Sequence, residues 1–460
     1  MRRRSPAGQR RPVTDLHSLG AIEAGRRLRA GRLTSAALTD ACLARIEALS
    51  SRFNAFVTVT AETARLDARR ADAELAAGYD RGPLHGIPVS LKDLIDQAGV
   101  RTSAGSHVPP AVGAAADAIV TARLRAAGAV LVGKTNLHEF AFGTTSEDSA
   151  FGPVRHPLDE TRSAGGSSGG SAVAVATGMS LLSVGTDTGG SVRIPAATCG
   201  LVGLKPQLGE VPIDGVVPLS TALDHVGPLA RSVADAAALY YVLARSAPRA
   251  PAPRAPGGLR LARLAGYFEE LLEPGVRRAY QAALDRLSAN GAHIRDVTLR
   301  HASEIPAVYL HIVLPEAAAW HARTLDACPE RYTPAVRLRL ELGRYVLAED
   351  YVRALAGRGV IRSEVEAALG DADALVLPAL PIQAPVLGTE VCTLEEGRHE
   401  PLRALMLRLT QPFNLSGHPA IVLPCGTTEV GLPVGLQLVG RQSGTVTLLD
   451  VAAGVEPLVR

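Results

Sequence analysis

Short apolar runs alternate with helical stretches along this chain, and this alternation restricts its fold more than any other feature. The strand-like runs lie at 87–91, 129–132, 181–185, 374–377, 420–424 and 433–439. A helical pattern at 117–127 separates the first two runs. Such alternation is typical of a sheet that helices cover on both faces. The sequence therefore predicts an α/β fold whose core elements come from both halves of the chain.

The same patterns predict how the chain is divided. Residues 1–12 read as a flexible basic tail, and residues 13–460 as a single domain. Two or three helices open this domain between Asp15 and about Gly78, and Thr34-Ser35 is placed to cap one of them. The segment 245–258 is rich in proline and alanine, which is typical of a stiff surface linker. It divides the domain into two halves of one fold.

Charge and composition exclude several classes of function. The 460 residues carry a formal net charge of +3, too small to indicate a nucleic-acid partner. A hydrophobic content of 47% excludes a disordered chain. The basic start is not followed by an apolar segment of signal-peptide type, and no run approaches the roughly 18 apolar residues of a membrane helix. We therefore expect a soluble, cytoplasmic protein without membrane contact.

The cysteines predict neither a disulfide framework nor a metal centre. There are five, an odd number, and none forms a Cys-x-x-Cys pair. No histidine stands at metal-ligand spacing from them. Cys199 and Cys425 lie near motif segments but have no activating base close in sequence, so we interpret them as small buried side chains.

Lysine is scarce in this chain, which makes each lysine a candidate functional residue. Only Lys92, Lys134 and Lys205 are lysine among the 48 basic residues. Arginine can replace lysine on a surface or in an ion pair, but it cannot be deprotonated in a protein. A position that needs a neutral amine must therefore keep lysine. Chance retention or a slimmer shape stays an alternative for Lys134 and Lys205.

One motif matches a phosphate-binding loop only in form. Residues Gly128 to Thr135 fit the pattern G-x-x-x-x-G-K-T. In a true loop of this kind the intervening residues curl their N–H groups around phosphate after a strand has ended. Here those residues are Ala-Val-Leu-Val, which belong in a strand, so we do not predict nucleotide binding.

Two glycine- and serine-rich segments are stronger candidates for an active site. The first is Gly165-Gly-Ser-Ser-Gly-Gly-Ser171, whose glycines suit close backbone approaches; a flexible linker is the alternative. The second is Gly185-Thr-Asp-Thr-Gly-Gly-Ser-Val-Arg-Ile-Pro195, which reads as a strand, a tight turn and a helix start. Such a turn exposes a serine and aims backbone N–H groups at one point. An ordinary turn with a serine N-cap explains this segment equally well.

A nucleophilic serine needs a base, and Lys92 is the best candidate. None of the twelve histidines lies in a comparable glycine-rich context, so a Ser-His-Asp assignment would be arbitrary. Lys92 follows a strand-like run that emerges from the core. A lysine at such an end can be desolvated, which lowers its pKa and supplies a neutral amine.

Taken together, these segments resemble the amidase signature family. The resemblance is carried by Gly86-Ile-Pro-Val-Ser-Leu-Lys-Asp93 and by the two glycine- and serine-rich segments, whose candidate serines Ser167 and Ser191 have the family's spacing. Further matching stretches are 131–141, 151–157, 200–206 and 431–437. Residues 260–345 match no particular subfamily, so we expect this variable region to shape the substrate pocket. The walls of that pocket are expected at 143–145, 300–345 and 378–385.

The resemblance implies a single α/β/α domain with a mixed, twisted central sheet and a Ser-cisSer-Lys catalytic triad. By motif match, Ser191 is the nucleophile, Ser167 the bridging serine after a cis peptide bond, and Lys92 the base. The backbone N–H groups of Thr188, Gly189, Gly190 and Ser191 form the predicted oxyanion hole. Ser168, Asp187 and Arg193 are expected to support the loops rather than react. The resemblance implies no metal and no organic cofactor.

The function predicted in this way is hydrolysis of a linear carboxamide to a carboxylate and ammonia or an amine. The expected partner is a small-molecule amide, with a homodimer possible. The first alternative is the glutamine-hydrolysing A subunit of a tRNA amidotransferase; the stretch 332–353, which looks like that of ordinary amidases, favours a stand-alone enzyme instead. Transfer of the acyl group to an amine, or ester cleavage, stays open, as does a catalytically silent relative.

Overall fold

The computed structural model describes residues 16–108 and 114–460, so the predicted tail at 1–12 lies outside the described part of the chain. The strands are β1 (Phe56–Val59), β2 (Pro88–Lys92), β3 (Val130–Thr135), β4 (Leu182–Asp187), β5 (Val202–Lys205), β6 (His225–Ala230), β7 (Arg260–Leu264), β8 (His293–Val297), β9 (Ala374–Pro378), β10 (Val391–Thr393), β11 (His399–Pro401), β12 (Ala420–Thr427) and β13 (Pro433–Val439).

The helices surround these strands in the chain and in space. They are α1 (Ala21–Arg29), α2 (Ser35–Phe53), α3 (Ala61–Ala76), α4 (Ile119–Ala126), α5 (Gly169–Ala176), α6 (Arg193–Cys199), α7 (Val233–Ala244), α8 (Pro274–Ala289), α9 (Ile305–Ala327), α10 (Pro334–Gly343), α11 (Ala348–Leu369), α12 (Leu402–Arg408), α13 (Gln411–Ser416) and α14 (Thr445–Val459). Within the described ranges, no helix combines the length and the apolar character that crossing a membrane requires.

A large mixed sheet organises the molecule. Its strand order is β1-β3-β2-β4-β6-β5-β12-β13-β9-β7-β8, while β10 and β11 form a separate two-stranded ribbon. The neighbours β3, β2 and β4 are parallel, as are β8, β7 and β9, and the strands between these groups pair antiparallel. Helices α5, α7, α8 and α14 pack against the sheet. The predicted α/β class with a mixed central sheet and flanking helices is confirmed.

Both halves of the chain contribute to this one sheet. The proline-rich segment 245–258 connects α7 to β7, and β7 pairs with β9. Strand β12 comes from the second half and pairs with β5 from the first. The buried faces of these strands therefore share a continuous core with the helices that cover them.

Local sequence signals explain where several elements begin. The Thr34 hydroxyl accepts a hydrogen bond from Ala37 N–H and caps α2, as predicted. Leu38, Cys42, Ile46 and Leu49 recur at helical spacing and are buried on one face of that helix. The formal phosphate-loop match proves to be mainly strand β3, because Val130–Thr135 lies in the sheet.

One part of the chain differs from the sequence-based prediction. Strand β1 lies inside the stretch 15–78, where only helices were expected, because Phe56–Val59 pairs with β3. Two further features carry no local signal: α9 continues through Pro315, and α10 and α11 are separated at 344–347. Short elements and helix breaks depend on packing that the local pattern does not carry.

Candidate active site

The site lies where the carboxyl ends of β2 and β4 meet. These strands are parallel, with Leu91 opposite Val184, so Lys92 and Thr186 reach the same edge of the sheet. Loops that follow the ends of adjacent parallel strands form the usual binding crevice of α/β proteins. The chain leaves β4 at Asp187, turns at 188–192 and enters α6.

Lys92 is fully buried among hydroxyl groups. Its Nζ lies 2.7 Å from Ser167 Oγ and 2.8 Å from Thr186 Oγ1. Burial lowers the pKa of Lys92 to about 7, and the negative charges of Asp187 and Asp224 only partly oppose this effect. A substantial fraction of this amine is therefore neutral near neutral pH, as a base must be.

The backbone of Ser167 is fixed on the side of Gly166 and at its own carbonyl group. The peptide bond between Gly166 and Ser167 is cis. The Ser167 carbonyl accepts hydrogen bonds from His138 N–H, at 3.1 Å, and from Ser146 Oγ, also at 3.1 Å. A side chain on Gly166 would collide with the backbone nitrogens of Thr145 and Ser146, so this position requires glycine. The hydroxyl of Ser167 is thereby fixed beside Lys92.

Ser191 lies at the turn between β4 and α6 and is 6% exposed. Its Oγ has no hydrogen-bond partner among the described residues. The backbone of the same residue is fixed, since its carbonyl accepts a hydrogen bond of 3.2 Å from Ser168 N–H. The turn that precedes it is tightly packed: a side chain on Gly189 would collide with Tyr309 Oη and one on Gly190 with Thr410.

The predicted oxyanion donors belong to this turn. Within residues 16–108 and 114–460, the N–H groups of Gly189, Gly190 and Ser191 have no protein acceptor. Thr188 is anchored by its side chain, whose Oγ1 donates to Asp224 Oδ1 at 2.5 Å. Burial raises the pKa of Asp224 to about 6 despite that hydrogen bond. The turn thus presents free backbone donors next to a free hydroxyl.

Asp187 and Arg193 form a buried clamp across the same turn. Arg193 Nη2 lies 2.9 Å from Asp187 Oδ1, and Asp187 Oδ2 accepts from Val192 N–H. Burial alone would raise the pKa of Asp187, but the charge and hydrogen bonds of Arg193 hold it well below its usual range. Arg193 Nη1 and Nη2 also donate to Gln437 Oε1 and Asn414 Oδ1, both at 2.7 Å. The clamp fixes the start of α6 to the distant α13 and β13.

The other two lysines are also fully buried but have different partners. Lys134 Nζ lies 2.8 Å from Asp93 Oδ1 and 3.1 Å from Thr102 Oγ1. Lys205 Nζ donates to the carbonyl of His418 at 2.6 Å and to that of Pro206 at 3.1 Å. Both amines hold separate chain segments together.

Cys199 and Cys425 are buried, as predicted, and burial raises the pKa of each thiol to about 12. A thiol of that pKa is protonated at neutral pH and therefore a poor nucleophile. In the described residues, no group of three or more histidine, cysteine, aspartate or glutamate side chains is placed to hold a metal ion.

Two cavities lie near the site, although neither is lined by Lys92, Ser167 or Ser191 themselves. One, of about 420 Å³, is mainly apolar and includes Leu310, Leu407 and Gln411 in its walls. The other, of about 330 Å³, includes Thr144, Thr145 and Arg339. Arg403 lines both. The expected wall residues at 143–145 and within 300–345 are thus represented, whereas 378–385 line neither cavity and 388–411 take part instead.

The structure brings the predicted residues Lys92, Ser167 and Thr188–Ser191 to one edge of the sheet. Ser168, Asp187 and Arg193 contact one another or the backbone around Ser191. Sequence reasoning missed several neighbours: Thr186, Tyr309, Arg403, Thr410 and Asn414. Thr186 could have been found from the sequence, because it directly precedes Asp187 on strand β4, which leads into the turn. The others lie more than 100 residues away in sequence, on helices or, for Thr410, between α12 and α13, and carry no motif.

Comparisons with known proteins identify the family of this chain. The amidase family model matches residues 37–449. The A subunit of the glutamyl-tRNA(Gln) amidotransferase of Roseiflexus sp. (strain RS-1) is 40% identical over 476 residues, which covers 95% of this chain and 96% of that protein.

Comparisons with solved structures identify the same family. A crystal structure of an amidase, 41% identical, superposes with a TM-score of 0.91 over 96% of this chain and 100% of that one. The A subunit of the glutamyl-tRNA(Gln) amidotransferase of Thermotoga maritima, 32% identical, gives a TM-score of 0.78 over 96% of this chain and 95% of that one. With a family match over most of its length and relatives of this identity and coverage, the chain belongs to the amidase signature family.

Proposed function

We propose that this protein cleaves the C–N bond of a carboxamide through an acyl-enzyme formed on Ser191. The observation that carries the proposal is the 2.7 Å contact between Lys92 Nζ and Ser167 Oγ, in a fully buried setting where the lysine pKa is lowered to about 7. A neutral amine of that kind can accept a proton from a serine hydroxyl. No carboxylate pairs with Lys92 in the described residues, so nothing fixes its positive charge.

The proposed proton path starts from the contact between Lys92 and Ser167, and its first step requires the free hydroxyl of Ser191 to turn toward Ser167. Lys92 takes the proton of Ser167 as Ser167 takes the proton of Ser191, and Ser191 Oγ attacks the amide carbon. The charge that develops on the amide oxygen is stabilised by the free N–H groups of the 188–191 turn. Lys92, now protonated, returns a proton through Ser167 to the leaving nitrogen, which departs as ammonia or amine. Water then attacks the acyl-enzyme with the same groups as base.

Ser168, Asp187 and Arg193 are assigned to positioning. Ser168 N–H binds the Ser191 carbonyl, and Asp187 receives Val192 N–H and the Arg193 guanidinium. These contacts fix the backbone on both sides of Ser191. A nucleophile and its oxyanion donors must be held to within fractions of an ångström for the reaction to be fast.

Glutamine hydrolysis is the second candidate, and the curated relatives favour it over the stand-alone amidase. Full-length relatives at about 40% identity are named as A subunits of glutamyl-tRNA(Gln) amidotransferase. Against this, the amidase structure superposes with a TM-score of 0.91, compared with 0.78 for the A subunit from Thermotoga maritima. The amidase-like stretch 332–353 does not decide between these branches. In this second candidate the same triad releases ammonia from glutamine for a partner protein.

Two measurements on the purified chain test the proposal. A fluorophosphonate probe is expected to label Ser191 in the wild type and not in Ser191→Ala. Ammonia release from a panel of aliphatic and aryl amides, amino-acid amides and glutamine is expected for wild type and lost in Ser191→Ala and Lys92→Met. Turnover of general amides by the isolated chain supports the stand-alone enzyme, and turnover restricted to glutamine supports the second candidate. A folded wild type that is neither labelled nor active overturns the proposal.

A further inference from the structure

Within the described part of the chain, the guanidinium of Arg403 near the site has neither a hydrogen-bond acceptor nor an ion-pair partner. It lies on α12, and its Nε is buried with no hydrogen-bond acceptor among the described residues. No carboxylate in the described part of the chain lies within ion-pair distance of it. Its pKa is lowered by burial, with the neighbouring Tyr309 acting weakly against that shift. Arg403 as a whole is half-buried, and a partly desolvated cation without a counter-ion is costly.

The position of Arg403 relative to the two serines follows from its neighbours. On one side is Tyr309, whose Oη packs against Gly189 in the turn that carries Ser191. On the other side is the ring of Phe142, 5.9 Å from the guanidinium carbon. Arg403 shares the wall of one cavity with Leu407, which packs against Gly189 in the turn before Ser191. It shares the wall of the other with Thr145, whose backbone packs against Gly166 next to Ser167. Arg403 therefore lies near the supports of both serines.

A second guanidinium adds to the positive field there. Arg339 Nη1 donates to the Phe142 carbonyl at 2.7 Å. Burial and the charge of Arg403 lower the pKa of Arg339 to about 10, while Asp148 opposes them. Repulsion between two like charges in a poorly hydrated cavity is relieved when an anion binds between or beside them.

Four acidic groups line these cavities. Asp148 Oδ2 lies 3.2 Å from His138 Nε2. Glu147 Oε2 accepts a hydrogen bond of 2.6 Å from Gly388 N–H, whereas its Oε1 is buried without a hydrogen-bond partner among the described residues. Glu400 lies 2.7 Å from Arg398. Glu390 is exposed at the rim. None of them forms an ion pair with Arg403, so its guanidinium stays available to a ligand.

We propose that Arg403 binds an anionic group on the acyl part of the substrate, so that the preferred substrates are amides whose acyl chain ends in a carboxylate. This inference rests on the proposed amide hydrolysis and names the substrate class for the same site. A guanidinium binds a carboxylate through two parallel hydrogen bonds, which gives orientation as well as affinity. The largely apolar wall formed by Leu310, Leu405 and Leu407 suits the methylene chain between amide and carboxylate.

Binding to a variant that cannot react separates recognition from chemistry. In the Ser191→Ala background, isothermal titration calorimetry compares succinamate, glutaramate and adipamate with neutral amides of the same chain length. We expect at least one of the acids to bind about 10- to 100-fold more tightly than its neutral counterpart, the range for hydrogen bonds to charged groups. The added Arg403→Met substitution removes this preference, and Arg403→Lys restores part of it.

Arg337→Met is the matched control. Arg337 lies on α10 two residues before Arg339, but it pairs with Glu341 at 2.7 Å and faces neither cavity. The preference for the acid is expected to persist in this variant. Thermal unfolding of each variant shows whether a lost preference reflects lost folding. An acid preference that is absent in the parent, or unchanged in a folded Arg403→Met variant, overturns the inference.

Turnover distinguishes failure of this inference from failure of the proposed function. In an otherwise wild-type chain, Arg403→Met is expected to raise KM for the acid substrate about 10- to 100-fold with a smaller change in kcat, because the contact is made before and during the reaction. Arg403-dependent acid binding without any turnover rejects the hydrolase and keeps the anion subsite. Turnover of neutral amides without Arg403-dependent selection for acids rejects the subsite and keeps the hydrolase. Glutamine, which is glutaramate with an α-ammonium group, belongs to the same series.

Discussion

Lys92 and Lys134 lie on neighbouring parallel strands and are equally buried, yet their surroundings differ. Lys134 pairs in register with Leu91, and Lys92 with Thr135, so the two side chains project from opposite faces of the sheet. On one face Lys92 contacts the hydroxyls of Ser167 and Thr186. On the other face Lys134 lies 2.8 Å from the carboxylate of Asp93.

The contrast shows that the partner, and not burial, decides what a buried lysine can do. A carboxylate at ion-pair distance stabilises the ammonium form, which then ties two strand ends together. Hydroxyls solvate the amine without supplying a negative charge, so burial lowers the pKa of Lys92 to about 7. The first arrangement suits structure and the second suits proton transfer. The following predictions test this difference.

The largest expected effect is loss of activity in Lys92→Met. Without the amine, nothing accepts the Ser167 proton, and kcat for any amide the wild type cleaves should fall about a thousandfold or more. Lys92→Arg should lose as much activity, because a guanidinium cannot act as a neutral base. Ammonia release under saturating substrate measures both. The free energy of unfolding should fall by no more than about 2 kcal/mol in Lys92→Met, since only two hydroxyl contacts are lost.

Lys134→Met should lower the stability of the protein more than its activity, the opposite of what is expected for Lys92→Met. Removing this amine leaves the buried Asp93 carboxylate without its counter-ion, which is expected to lower the free energy of unfolding by about 3–5 kcal/mol. Denaturant titration measures it, and Asp93→Asn in the same chain should recover part of the loss. If Lys134→Met unfolds like wild type but is inactive, the division between the two lysines is wrong.

Much of the site could be predicted because its chemistry is local in sequence. Lys92 ends a strand, and the turn at 188–191 follows another, so each functional group lies beside a recognisable backbone feature. The same holds for the cap of α2 and for the strand that resembled a phosphate loop. Parallel strands bring their carboxyl ends together, which explains why motifs so far apart in sequence meet in one region.

The groups that surround the site could not be predicted in this way. Tyr309, Arg403 and Asn414 lie on α9, α12 and α13, far along the chain from the serines. No local spacing relates them to the 188–191 turn, since the relation arises only when the helices pack over the sheet edge. The same reason explains why the wall at 388–411 was missed and why β1 was read as helix.

The rate should also rise with pH in a way that reports on Lys92. Its pKa of about 7 means that the neutral fraction, and with it kcat/KM, increases about tenfold per pH unit below 7 and levels off above. Asp224, whose pKa burial raises to about 6, gains a proton on further acidification. The loss of its negative charge lowers the pKa of Lys92, so the limb is expected to become shallower there.

Asp224→Asn refines this assignment. The negative charge of Asp224 raises the pKa of Lys92, so its removal should shift the limb near pH 7 to lower pH. Initial rates with one amide between pH 5 and 9 record both profiles. A limb that stays in place, or that moves to higher pH, assigns the titration to a group other than Lys92.

The smallest effect is expected at Thr186, the second hydroxyl beside Lys92. Thr186→Val keeps the shape but removes one contact of 2.8 Å, worth about 1 kcal/mol, so the plateau rate should fall about fivefold. The hydroxyl oxygen also stabilises the ammonium form, and its loss should move the acid limb to lower pH. A merely structural threonine would change the rate without moving the limb. Thr186→Ser, which keeps the hydroxyl, should restore both, because the lysine then regains a polar neighbour that carries no charge.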